Sequence, residues 1–123
     1  MKTGLVIEDN EDNMVLITKF LQKFGYQTLQ AQTGMKGYEM AIEMKPDFII
    51  LDIQLPDIDG TEVLKKIRAR EEGKNIPVIA MTSFAMAGDR EKLLAAGCNG
   101  YIEKPFDPEH VISQIRKFIG ELL

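Results

Sequence analysis

The chain has 123 residues, 45% of them hydrophobic, and a formal net charge of -4, so residues 1–123 are expected to form a single domain with one core. Its 15 Lys and Arg are scattered, which argues against a nucleic-acid footprint, and one Cys with one His excludes an internal disulfide or a structural Cys/His metal site. Without a signal peptide or a long uncharged apolar run, the sequence points to the cytoplasm and away from the membrane.

"GLVIED" (4–9) reads as the first strand. Met14, Ile17, Phe20, Leu21 and Phe24 then recur at helical spacing and Gly25 is the stop. "QTLQA" (27–31) is the second strand, and a second helix starts near Thr33 and ends before Pro46. "DFIILD" (47–52) is the third strand, followed by a helix that opens at Asp59-Gly60 and carries Val63, Leu64 and Ile67. "PVIAMT" (77–82) is the fourth, and its helix ends at Gly97 after Leu93 and Leu94. "GYIEK" (100–104) is the fifth, and the last helix has Asp107 as N-cap, Pro108 as first residue, then Val111, Ile112, Ile115, Phe118 and Ile119. Cys98 reads as a small, partly buried filler.

Three of the five strands are apolar at nearly every position, which requires burial on both faces and therefore a parallel sheet covered by helices on each side. Five βα units with short connections predict a doubly wound α/β sheet, whose sites form outside the carboxyl ends of the strands. Those ends carry Glu8-Asp9, Asp52, Thr82-Ser83 and Lys104-Pro105. Parallel neighbours lie roughly 4.8 Å apart, so these groups converge on one shallow pocket, with Asp52 expected to be exposed there. Crowded carboxylates repel. A divalent cation with oxygen ligands, Mg²⁺ above all, resolves the conflict, and a carboxylate nucleophile beside Mg²⁺ and a lysine can accept a phosphoryl group.

Taken singly the motifs are weak. "EDNEDN" reads equally as a solvated turn and helix cap, Thr82 as the end of a β-branched strand, Lys104 as an exposed lysine and Tyr101 as edge-strand packing. Asp57 and Asp59 read as turn and cap residues, and Asp12 and Glu11 as helix-terminus charges.

Four motifs stand in order at strand ends: "EDN" (8–10), "LDIQLPDIDG" (51–60), "MTSFA" (81–85) and "EKPF" (103–106). Thr82 follows Asp52 by 30 residues and Lys104 follows Thr82 by 22. In this pattern the chain resembles, over essentially its whole length, the receiver domain of two-component response regulators, the CheY-like superfamily. It resembles in particular the stand-alone cell-cycle (DivK-like) regulators and the receivers of hybrid histidine kinases.

The resemblance implies a flavodoxin-like (βα)5 sandwich with strand order 2-1-3-4-5. It implies that Asp52 is the phosphoacceptor for a histidine kinase or phosphotransfer protein, and that Glu8, Asp9, Asp52 and the Gln54 backbone carbonyl bind Mg²⁺ (or Mn²⁺). Thr82, the Ser83 backbone amide and Lys104 would contact the phosphoryl group, and the Lys104-Pro105 peptide would be cis. Thr82 and Tyr101 would form the switch that reshapes the surface of helix 4, strand 5 and helix 5, shifting a pre-existing equilibrium toward a downstream protein target. Gln54 and Phe84 would tune dephosphorylation. Apart from the resemblance, Phe84 and Met86, apolar in the loop after strand 4, read as a docking surface or equally as side chains that fold back on helix 4.

The last helix ends close to Leu123, so the expectation is a stand-alone, monomeric regulator without DNA-binding output, acting as a switch and not as an enzyme on other substrates. A receiver excised from a hybrid kinase would read the same. A haloacid-dehalogenase-type phosphatase would need an acid where Gln54 stands, and a flavin-binding domain would need a phosphate loop where "EDNEDN" would repel one. A phosphorylation-independent interaction module would not need the complete set of acids, Thr and Lys.

Overall fold

The computed structural model describes residues 2–83, 89–105 and 107–119. Its elements run β1 (Thr3–Ile7), α1 (Glu11–Lys23), β2 (Gln27–Ala31), α2 (Gly34–Met44), β3 (Phe48–Asp52), α3 (Gly60–Arg68), β4 (Val78–Thr82), α4 (Asp89–Ala96), β5 (Gly100–Glu103) and α5 (Pro108–Ile119). The strands form one parallel sheet in the order β2-β1-β3-β4-β5. This is the expected order and class.

The apolar strands bury alternate residues on opposite faces. Leu5 and Ile7, Ile49 and Leu51, and Val78 and Ala80 pack with Val63, Leu64, Ile67 and Leu93 of α3 and α4. Val6, Phe48 and Ile50, and Ile79 and Met81 pack with Ile17 and Leu21 of α1 and Ile112 and Ile115 of α5. Each fully buried Ile or Leu contributes roughly 1.5–3 kcal/mol relative to exposure, so a strand such as β3, buried at all five positions, is held from both sides. Cys98 completes the first of these layers at 6% exposure.

Local signals set the element ends. Asn10 caps α1 by accepting from the Asn13 amide, and Thr33 caps α2 by accepting from the Lys36 amide. Gly25 (φ 92°) and Gly97 (φ 115°) supply the left-handed turns after α1 and α4.

Three details differ from the sequence reading. β1 stops at Ile7 and β5 at Glu103, so Glu8-Asp9 and Lys104 follow their strands, although the Glu8 amide still donates to the Ala31 carbonyl at 3.0 Å. A 3-10 turn, Glu71–Gly73, precedes β4. Phe24 is 39% exposed as the C-cap of α1, and the Arg116 guanidinium lies 5.7 Å from its ring centroid. Among the described residues no helix is long and apolar enough to cross a membrane.

Candidate functional site

Register brings the acids together. Ile7 pairs with Leu51, so the next residues, Glu8 and Asp52, leave the carboxyl edge side by side. Asp52 also extends the Phe48, Ile50 row, the row that faces α1 and α5. One oxygen from each of Glu8, Asp9 and Asp52 lies within 4.8 Å of the others. Three hard oxygen donors at that spacing suit one divalent cation that keeps part of its water shell, as Mg²⁺ does.

Lys104, the residue after β5, closes the cluster. Its backbone amide donates to the Thr82 carbonyl at 2.8 Å, and the Lys104-Pro105 peptide is cis. The Lys104 Nζ stands 3.3 Å from Glu8 Oε1 and 3.2 Å from Asp52 Oδ2. Glu8 Oε2 accepts from the Asn10 amide at 3.2 Å, and Asp52 Oδ1 accepts from the Gln54 amide at 3.0 Å.

Asp52 is 2% exposed and Glu8 fully buried, which corrects the expectation of an exposed Asp52. The carboxylate sits at the end of β3, in contact with Lys104 Nζ and the Gln54 amide. Burial, then a shared hydrogen bond and charge repulsion with Asp52, pushes the Glu8 carboxyl up to about 7 from an ordinary 4.5, against the opposing pull of the Asn10 amide and Lys104.

Thr82 is buried at the end of β4, on the opposite row from Asp52. It lines a cavity of about 530 Å³ together with Gln54, Thr61, Lys92 and Leu93. The Gln54 Nε2 is buried without a hydrogen-bond partner among the described residues. Ser83 is exposed just past β4. Phe84 and Met86, singled out from the sequence, lie outside the described residues.

Tyr101 is half-buried on the edge strand β5, where its carbonyl accepts from Gln114 Nε2 at 3.2 Å. A cavity of about 320 Å³ opens beside it, lined by Arg90, Leu94, His110 and Lys117 among others.

Two arrangements escaped the sequence reading. Lys104 pairs with Glu8 as well as with Asp52. Asp57 caps α2, 23 residues away, by accepting from the Gly34 amide at 2.8 Å and the Met35 amide at 3.0 Å. These amides, Met35 first, hold the Asp57 carboxyl below its usual value. The available signal was an α2 without an acid in its first turn, but the identity of the donor segment is tertiary information.

The sequence pattern of the response regulator receiver domain matches residues 5–116. The polar-differentiation response regulator DivK of Brucella ovis is 41% identical over 120 residues, which are 98% of each chain. A crystal structure of the receiver domain of sensor histidine kinase PA1611 from Pseudomonas aeruginosa, with magnesium coordinated in the active-site cleft, is 35% identical over 98% of both chains, with a TM-score of 0.90. A CheY-like receiver domain protein from Methanospirillum hungatei is 26% identical, covers 98% of this chain and 94% of its own, and has a TM-score of 0.90.

Proposed function

The chain belongs to the response regulator receiver domain family, and with it to two-component phosphorelay signalling; from that premise we propose that Asp52 is its phosphoacceptor. The observation that carries this reading is the Asp52 carboxylate set between Lys104 Nζ at 3.2 Å and the acids Glu8 and Asp9.

Each residue then has a task. Asp52 Oδ attacks the phosphorus of a phosphohistidine; the P–N bond breaks, the O–P bond forms, and the imidazole leaves with the electron pair. Lys104 neutralises oxygens of the incoming phosphoryl group, and its hold on Asp52 aims the nucleophile before transfer. Mg²⁺ (or Mn²⁺), held by Glu8, Asp9, Asp52 and the Gln54 carbonyl, would supply further neutralisation of the phosphoryl charge. The Thr82 hydroxyl and the Ser83 amide donate to phosphoryl oxygens once the group is in place.

Thr82 and Tyr101 lie on neighbouring strands. A shift of Thr82 toward a new anion changes the space beside β5, which favours a different rotamer of Tyr101. That rotamer reshapes the surface of α4, β5 and α5, where a downstream protein binds. Phosphorylation biases this equilibrium only by its differential interaction with the two states.

The same reading makes the protein a cytoplasmic, monomeric switch that catalyses only its own phosphorylation and slow dephosphorylation. Its upstream partner is a histidine kinase or phosphotransfer protein, and its output is a protein contact without nucleic acid.

The test is transfer from a phosphorylated histidine phosphotransfer domain carrying radiolabel. Label should leave the phosphohistidine and appear on this chain, and Asp52→Asn should abolish the gain. Transfer that persists in Asp52→Asn would contradict the assignment.

A further inference from the structure

The loop from Ile53 to Asp59 joins β3 to α3 and carries Gln54. It is fastened at three points. At its start the Gln54 amide donates to Asp52 Oδ1 at 3.0 Å, and at its end Asp59 Oδ1 accepts from the Thr61 amide at 2.8 Å and caps α3. Between them Asp57 reaches across from the loop and accepts from the Gly34 and Met35 amides of α2.

Helix α2 already has a cap. Thr33 Oγ1 accepts from the Lys36 amide at 3.1 Å, which satisfies one of the orphan donors at the N-terminus. The Asp57 carboxylate takes two more and brings negative charge to a first turn that has none of its own. The approach is tight: a Cβ at Gly34 would stand 3.3 Å from Asp57 Oδ1 and 2.7 Å from Val63 Cγ2. Leu55 and Ile58, on either side, pack against the α2–α4 core layer.

The consequence concerns Gln54. Two residues, Leu55 and Pro56, separate it from Asp57, three steps along the chain that span about 10 Å at most, and Pro56 within that span has a fixed φ. With Asp57 tied to α2 and Ile53 continuing β3, little slack remains in between. The geometry points to Asp57 as a positioning residue: by tying the loop to the N-terminus of α2, it holds Gln54 in place against Asp52. This rests on the reading of Asp52 and the acid cluster given above.

A purely structural cap makes a different prediction, and Thr33 provides the control. Thr33→Ala weakens the same helix end and leaves the loop fastened. Asp57→Ala releases the loop. Asp57→Asn keeps one acceptor for Gly34 and serves if the alanine variant folds poorly.

Two readouts separate the cases. The first is hydrogen exchange of the Gln54 amide in EDTA. It should be about tenfold faster in Asp57→Ala than in wild type, intermediate in Asp57→Asn and unchanged in Thr33→Ala. The second is the MgCl2 concentration that half-saturates the chemical-shift change of the site. Asp57→Ala should raise it several-fold, with acetyl phosphate turnover slowed at low MgCl2 and recovered at saturating MgCl2, while Thr33→Ala leaves it alone. Equal behaviour of Asp57→Ala and Thr33→Ala in both readouts would overturn the inference. If wild type itself neither binds Mg²⁺ nor takes a phosphoryl group, the functional reading fails, and the metal-free exchange rates still decide whether Asp57 holds Gln54.

Discussion

Lys104 Nζ stands 3.2 Å from Asp52 Oδ2, so the proposed nucleophile already faces a cation before any phosphoryl group arrives. The same ammonium lies 3.3 Å from Glu8 Oε1. One side chain just past β5 therefore does two jobs: it compensates buried negative charge in the resting protein and it awaits the charge that transfer brings.

Lys104→Met separates these jobs. With two buried carboxylates left facing each other, the protein in EDTA at pH 8 should lose about 3 kcal/mol of stability, the low end of what breaking a buried pair costs, because Lys104 keeps 16% of its side chain exposed. Phosphorylation by acetyl phosphate at saturating MgCl2 should slow about 10²-fold, the scale of losing one preorganised electrostatic contact. Denaturant titration and a mass time course measure the two effects, and an unchanged rate would remove Lys104 from the mechanism.

Glu8 gives the metal-free protein a pH dependence with a definite sign. Its folded pKa of about 7 lies above the ordinary 4.5, so between these values the folded chain holds a proton that the unfolded chain has released. The stabilisation is fully present below pH 4.5, declines as pH rises, and is gone above about 7. In EDTA, the stability difference between Glu8→Gln and wild type should therefore grow in favour of the variant from pH 5 to pH 8. A difference that stays flat across this range would contradict the raised pKa.

Gly60 is required by the backbone of the site. A Cβ there would lie 2.5 Å from Ile53 Cα and 2.9 Å from the Asp52 carbonyl oxygen. Backbone atoms cannot rotate away as a side-chain tip can. Gly60→Ala should destabilise the protein by about 1–3 kcal/mol, and by pushing on Asp52 and Ile53 it should slow phosphorylation as well. Thermal unfolding and the acetyl phosphate time course check both, and wild-type values in each would show that the close approach is relieved without consequence.

The sheet was legible because β1, β3 and β4 are buried on both faces, and continuous apolar runs such as "FIILD" are the direct record of that burial. Helix starts at Thr33 and Asp59 were legible because capping is chemistry within a few residues. The convergence of Glu8, Asp9, Asp52 and Lys104 followed from strand order and residue position. Burial of Asp52 did not, because it depends on how the surrounding segments, Lys104 among them, assemble at the strand end. The reach of Asp57 to α2 was hidden for a similar reason: any short acid in a turn caps something, and only the assembled layers decide which helix lies within hydrogen-bond distance.

The most direct test of the central claim is the intact mass after incubation with acetyl phosphate, measured in MgCl2 and in EDTA for wild type and Asp52→Asn. The account predicts one added phosphoryl group for wild type in MgCl2, and none in EDTA or in Asp52→Asn under either condition. Addition that survives Asp52→Asn, or no addition to wild type in MgCl2, would contradict it.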